Sequence, residues 1–308
     1  MPRIFIDGAA GTTGLEIRER LAERAAYEPI TLGEADRKDI RKRREAIDAA
    51  DIVILCLPDE AAREAVAWGG EKTRFIDASS AHRIDPDWSY GFAELAPGRR
   101  EAIAGARLVS NPGCYPTGFL ALVAPLVARR LLLADWPYSI HAMSGYSGGG
   151  KALIERFGQA DAPAFRSYGL SLDHKHLPEM RVHAGLKETP IFAPAVVPGF
   201  RGMQVEVPVP LAAMPAAAGA DALVDALAEH YDGEALVTVH RGETPDELLI
   251  ARDAPRSDRL DLHVFASADG RRVRLIATLD NLGKGASGAA VQNLNLMAGE
   301  PETEGLWL

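Results

Sequence analysis

Cysteine is nearly absent from this chain: there are two, Cys56 and Cys114, among 308 residues. So few thiols exclude a disulfide framework and a multi-cysteine zinc site, and they suit a reducing cytoplasm. Long apolar runs are missing as well. The longest, such as Ile52–Leu57 and Phe119–Val127, fall far short of the ~20 residues that a membrane span needs. No basic block is present, and 34 Lys+Arg against 43 Asp+Glu leave a net charge of −9. That balance argues against nucleic acid as the main partner. The N-terminus opens as a strand, without the charged start and apolar core of a secretory signal. No internal repeat or low-complexity linker interrupts the sequence. What is left is a globular composition, 47% hydrophobic and 25% charged, long enough for about two domains of roughly 150 residues each. The expectation is a cytoplasmic protein with no membrane and no nucleic-acid partner.

The first 80 residues alternate strand and helix signals. Arg3–Asp7, Pro29–Leu32, Asp51–Leu57 and Arg74–Ile76 read as strands; Leu15–Ala26, Arg41–Ala50 and Ala61–Trp68 read as helices. The run DIVILCL (51–57) is almost continuously apolar, as a strand buried on both faces must be. This alternation implies right-handed βαβ units and a parallel sheet. Beyond Cys114 the pattern changes. A helix over Thr117–Leu133 precedes strand-like segments at Tyr138–Met143, Ile191–Val197, Gly202–Val209, Glu234–His240, Leu260–Ala266 and Val273–Leu279, many separated by Pro or Gly. They predict a mixed α+β domain. The Ala/Pro stretch Leu211–Ala220 reads as a loop, and Gly285–Met297 as a final helix.

Gly8-Ala9-Ala10-Gly11-Thr12-Thr13-Gly14 has the form G-x-x-G-x-x-G and sits at the first strand–helix junction. Glycine there permits a tight turn and a close approach of backbone N–H groups to a pyrophosphate, while the helix N-terminus favours negative charge. A turn with no ligand is the plainer alternative. After the second strand come Glu34, Arg37 and Lys38. The two cations favour the 2′-phosphate of NADP(H), whereas Glu34 speaks for NAD; the two cations also suit a plain solvated helix start.

The two cysteines have opposite surroundings. Cys56 lies within DIVILCL and reads as an inert core thiol. Cys114 lies in Ser110-Asn111-Pro112-Gly113-Cys114-Tyr115-Pro116-Thr117-Gly118, a polar loop ahead of a long apolar helix. Unpaired N–H groups at a helix start stabilise a thiolate, so Cys114 reads as a nucleophile. His174-Lys175-His176-Leu177-Pro178-Glu179 supplies a proton shuttle in His174 or His176 and an orienting carboxylate in Glu179. Alternatives for that segment are a metal site, for which no further ligand stands out, and a bland surface helix start. Ser144-Gly145-Tyr146-Ser147-Gly148-Gly149-Gly150-Lys151 reads as a flexible backbone platform near a ligand, or as a plain mobile loop.

Taken together, GAAGTTG (8–14), DASSAHR (77–83), SNPGCYPTG (110–118), SGYSGGGK (144–151), HKHLPE (174–179) and DNLGKGASGAAVQNLNLM (280–297) resemble the semialdehyde-dehydrogenase superfamily. Within it, they look like the shorter bacterial N-acetyl-γ-glutamyl-phosphate reductases. The motifs run in the expected order along nearly the whole chain.

The resemblance implies a Rossmann-type, parallel-sheet NADP-binding domain, residues 1–113 plus 284–308. Inserted in it would be an α+β catalytic and oligomerisation domain, residues 114–283. It implies NADPH-dependent reduction of N-acetyl-γ-glutamyl phosphate to N-acetylglutamate 5-semialdehyde and phosphate, a step of arginine biosynthesis. Cys114 would form a thioester and His176, with His174 in reserve, would move the thiohemiacetal proton. The cofactor would meet Gly8, Gly11, Thr12, Thr13, Gly14, Arg37, Lys38, Ser144, Gly145, Asn281 and Gly285. The small-molecule acyl phosphate would meet Arg83 and Asn111, whose plain alternatives are a surface ion pair and a turn former. No metal is expected, and the family assembles as a homodimer or homotetramer. Aspartate-semialdehyde dehydrogenase and a non-catalytic nucleotide-binding regulator are the competing readings.

Overall fold

The computed structural model describes residues 1–22, 24–215, 219–242 and 245–308. Glu23 of the expected first helix and residues 216–218 of the expected Ala/Pro loop therefore lie outside the described residues. The chain divides into two compact units, Met1–Ala93 with Pro97–Gly113 and Ala286–Trp307, and Glu94–Ala96 with Cys114–Gly285 and Leu308.

In the first unit the chain runs β1 (Arg3–Asp7), α1 (Thr12–Leu21), β2 (Glu28–Ile30), α2 (Ile40–Ala49), β3 (Ile52–Leu55), α3 (Asp59–Trp68), β4 (Arg74–Asp77), β5 (Ser89–Tyr90), α4 (Arg99–Gly105) and β6 (Leu108–Ser110). A C-terminal helix, Gly288–Ala298, completes it. Among the described residues the strands form one sheet in the order β2-β1-β3-β4-β6-β5. Every pairing in it is parallel. All four residues of β3 are buried because helices cover both faces of the sheet: Ile52 and Ile54 pack with α1 and the C-terminal helix, Val53 and Leu55 with α2 and α3. The sequence pattern misses β5, α4 and β6, which are too short to show a period.

The second unit starts with α5 (Cys114–Ala128), followed by β7 (Ser139–Gly145), a 3₁₀ turn (Tyr146–Gly149), α6 (Gly150–Phe157), β8 (Arg166–Ser167) and α7 (Leu177–His183). Next come β9 (Ile191–Val197), β10 (Met203–Pro210), α8 (Ala220–His230), β11 (Val237–Val239), β12 (Leu260–Ala266) and β13 (Arg272–Leu279). The sheet order is β11-β12-β13-β10-β7-β9-β8, with parallel pairs β11/β12 and β7/β9 and antiparallel pairs elsewhere. Helix α5 is apolar around its whole circumference, as a helix buried on all sides must be. Its Gly118 lets it settle on the sheet, since a Cβ there would stand 2.9 Å from the Val205 side chain.

One expectation needs correcting. The Ser144–Lys151 segment is not a plain loop: Ser144 and Ser147 are buried, and the chain passes through the end of β7, the 3₁₀ turn and the start of α6. Gly145 is required because a Cβ would stand 2.7 Å from the Phe200 carbonyl oxygen.

Candidate active site

In the first unit, the glycine turn leads from β1 into α1. Gly8 has φ of +88°, a left-handed conformation that glycine adopts without strain. Any Cβ on Gly8 would collide with the Cys56 carbonyl, and one on Gly14 would stand 2.6 Å from the Gly8 carbonyl oxygen. Gly11 caps α1 with no side-chain hydrogen bond, and no acidic residue sits in the first helical turn, where Thr12 and Thr13 lie. The backbone amides of that turn thus face an environment that suits an anion.

Gly8, Ala9 and Ala10 line a cavity of about 470 Å³, and Glu34, Arg37 and Lys38 line the same cavity. The turn and the cation pair expected to bind one dinucleotide are therefore brought together. Arg37 donates to Glu34 at 2.6 Å, so the carboxylate that spoke for NAD is engaged by one of the cations that spoke for NADP. On the same cavity wall, Arg43 grips Asp7 at 2.8 Å and fixes α2 to the end of β1. The first residues of the glycine turn and two cations on one cavity fit a phosphorylated nucleotide.

Cys56 directly follows β3, and its thiol is pushed up to about 12 by burial, reinforced by the nearby charges of Asp77 and Asp7. It is the inert thiol that the sequence indicates.

The DASSAHR loop is organised by Asp77. Its carboxylate accepts from the Ser79 N–H at 2.9 Å and the Ser79 hydroxyl at 2.7 Å, and meets His82 Nδ1 at 2.7 Å. Arg83 is held by Nε donating to the Asn111 carbonyl at 3.0 Å and Nη2 to that of Ala78 at 3.2 Å. The Asn111 amide donates to the Ala286 carbonyl and accepts from Asn293, each at 3.0 Å. Asn111 is only 1% exposed. Its side chain is committed to the fold, and its carbonyl orients Arg83.

In the second unit, Cys114 is the first residue of α5 rather than a loop residue ahead of it. The following residue, Tyr115, is the hub of an aromatic cluster. The rings of His174 and His176 lie 6.4 and 5.9 Å from it, Phe192 lies 5.1 Å away, and the two imidazoles are 4.7 Å apart. The Tyr168 hydroxyl donates to that of Tyr115 at 3.3 Å. Burial raises both phenols, and the charge of Cys114 contributes to each. The cysteine and the two histidines therefore meet around one ring.

His174 and His176 are not equivalent. The His176 backbone N–H donates to His174 Nδ1 at 3.2 Å, which fixes that nitrogen as an acceptor. Burial, with Lys175 adding, lowers His174 to about 4. His174 is thus neutral at neutral pH. His176 caps α7 and is 6% exposed, while Glu179 in the first turn of that helix is buried.

Four further expected residues lie in this unit. Ser144 hydrogen-bonds the Tyr115 side chain. Asn281 donates to the Ser147 hydroxyl at 2.9 Å. Gly145 packs on the Phe200 and Arg201 backbone, and Gly285 lies against Cys114, where a Cβ would stand 2.9 Å from the cysteine Cβ.

Sequence reading missed Tyr115, Tyr168 and two buried ion pairs, Arg201–Asp280 and Lys284–Glu94, each at 2.7 Å. No group of three or more potential metal ligands occurs among the described residues. Nor is any helix there long and apolar enough to cross a membrane.

Residues 3–106 match the NAD binding domain of semialdehyde dehydrogenases, and residues 114–281 match their dimerisation domain. The chain is 50% identical to the N-acetyl-γ-glutamyl-phosphate reductases of Brucella ovis and Brucella canis, over 97% of this chain and 99% of each relative. The chain belongs to the N-acetyl-γ-glutamyl-phosphate reductase family of semialdehyde dehydrogenases. Among solved structures, aspartate semialdehyde dehydrogenase II from Vibrio cholerae matches with a TM-score of 0.72 at 21% identity, covering 96% of this chain and 98% of that one. The enzyme from Francisella tularensis matches with a TM-score of 0.71 at 14% identity, over 96% and 100%. These two matches show the semialdehyde-dehydrogenase fold.

Proposed function

We propose that the chain reduces N-acetyl-γ-glutamyl phosphate to N-acetylglutamate 5-semialdehyde and inorganic phosphate with NADPH, a step in arginine biosynthesis. The observation that carries this reading is Cys114 at the first position of α5, with the imidazoles of His174 and His176 packed on the adjacent Tyr115.

The Cys114 thiolate attacks the acyl carbon, the carbon–oxygen bond to phosphate breaks, and phosphate leaves with the bonding pair. A thioester on Cys114 results. Bound NADPH supplies the hydride that reduces this thioester. N–H groups at the start of α5 stabilise the tetrahedral oxyanion. His176 gives a proton to the thiohemiacetal oxygen and takes it back as the carbon–sulfur bond breaks, which restores the thiolate and releases the aldehyde. His174, held neutral with Nδ1 occupied, orients His176 instead of donating. Glu179 is the candidate to orient the His176 ring.

The turn from Gly8 to Gly14 receives the pyrophosphate, and Arg37 with Lys38 receives the 2′-phosphate. Arg83 is the phosphate contact for the substrate, oriented by Asn111. The match to a dimerisation domain supports a homodimer or homotetramer, which sedimentation of the full chain measures.

The deciding assay runs the reaction in reverse, following phosphate-dependent NADP reduction with N-acetylglutamate semialdehyde and, separately, aspartate semialdehyde. Turnover is expected with the first and not the second. An inert first substrate sinks the proposal.

A further inference from the structure

Between β13 and the C-terminal helix, Gly283–Ser287 forms a π-helical turn. Such widened turns recur at functional sites. Three of its residues are fixed by three separate neighbours. Gly283 lies against the Ser257 backbone with no room for a Cβ. Lys284 Nζ donates to both Glu94 carboxylate oxygens, at 2.7 and 2.9 Å. Gly285 is pressed on Cys114. Glu94 is itself anchored, because His230 Nε2 meets its carbonyl oxygen at 3.2 Å.

A buried ion pair is a weak way to gain stability, since well-packed apolar side chains of similar size do as well or better. Lys284 is 2% exposed, and no sequence signal short of the fold itself brings Glu94 to it. The neighbour of Lys284 touches the nucleophile. We propose that the buried Lys284–Glu94 ion pair is a positioning device for Cys114: it pins the turn that sets Gly285 against the cysteine and keeps the charge beside it balanced. The inference rests on Cys114 being the nucleophile.

Titratable groups that face Cys114 include Tyr115 on α5 and Tyr168 after β8, with His174 and His176 packed on Tyr115. Facing the pair are His230 and Tyr231 at the end of α8; the charge of Glu94 helps to raise the Tyr231 phenol. None of these changes in the variants below.

The test follows alkylation of Cys114 by iodoacetamide against pH in the full chain, located by mass spectrometry, alongside kcat, KM and the Kd for NADPH. Lys284→Met leaves the Glu94 carboxylate uncompensated and raises the alkylation midpoint by about 1 pH unit. Glu94→Gln leaves the ammonium uncompensated and lowers it by a similar amount. The double variant returns to the wild-type midpoint, while its kcat falls about tenfold with KM and the NADPH Kd nearly unchanged. Midpoints that stay put in both single variants overturn the inference. If either single variant fails to fold, the double variant, which leaves no charge unbalanced, decides alone: wild-type kcat in it overturns the inference. Failure of the underlying assignment looks different, because the wild-type chain would then show no preferential alkylation of Cys114.

Discussion

The nucleotide turn and the nucleophile turn are both short, glycine-bearing passages into a helix, but they are made of different materials. The first is made of backbone. Gly8 and Gly14 exclude any side chain, and α1 offers uncapped amides to the turn. The second is made of side chains gathered from distant places, with Tyr115 bringing together Cys114, His174, His176, Tyr168 and Phe192. A backbone site fails when atoms are added. A side-chain site fails when chemistry is removed, and the fold survives. Substitutions separate the two.

The largest effect is expected at Cys114. Cys114→Ser lowers kcat by about 10⁴-fold or more, as loss of a covalent nucleophile does, with NADPH binding and melting temperature retained. Intact turnover in that variant would falsify the covalent route. His176→Asn comes next, costing about 10²–10³-fold in kcat through loss of acid–base catalysis; a drop under threefold transfers the role to His174. Gly8→Ala tests the other material. Its left-handed backbone alone costs about 1–2 kcal/mol, and the collision with Cys56 adds to it, so NADPH affinity by titration and thermal stability fall together. If affinity falls with stability untouched, the turn is not a packed backbone element. Arg37→Ala removes a cation at the cavity and reduces the preference for NADPH over NADH about tenfold, a loss within the range for a charge-assisted hydrogen bond. Equal loss with both cofactors would assign Arg37 to general folding.

The smallest effect concerns acid. Folded His174 titrates near 4 against an ordinary value of 6.5. Between those values the unfolded chain takes up a proton that the folded chain refuses. Stability therefore falls as pH drops through this window and levels off below it. His174→Gln removes this contribution, so its melting temperature declines less than the wild type's between pH 7 and 4.5. Parallel declines would show that His174 is not held neutral.

The same contrast governs what the sequence reveals. Strands β1, β3 and β4 and the glycine turn are legible because their signals are local: a continuous apolar run for a doubly covered strand, and glycines spaced across one junction. Helix α6 escaped notice because it begins among glycines, and β8, with two residues, has no pattern to show. The place of Cys114 at a helix start was legible from its neighbours. The buried ion pairs of the same unit were not, since Lys284 and Glu94 are 190 residues apart and Arg201 and Asp280 are 79 apart. Asn111 shows the reverse case. Its residue type suggests a ligand contact, while the amide already bonds Ala286 and Asn293 within the fold. A polar side chain advertises bonding capacity; only the fold says who has used it.

The π-helical turn also makes chain length, and not only composition, a constraint near the C-terminus. A π turn holds one residue more than an α turn. Deleting any one of Gly283–Ser287 would let the segment relax to regular helix, and everything after it would rotate by about 100°. The C-terminal helix could not absorb that rotation, because Gln292, Asn293 and Asn295 along it are buried and bonded to fixed partners. Loops such as that around Gly270, exposed at a hairpin tip, have room for an inserted or missing residue. This turn has none, so single-residue indels should sort the chain into tolerant and intolerant stretches more sharply than substitutions do.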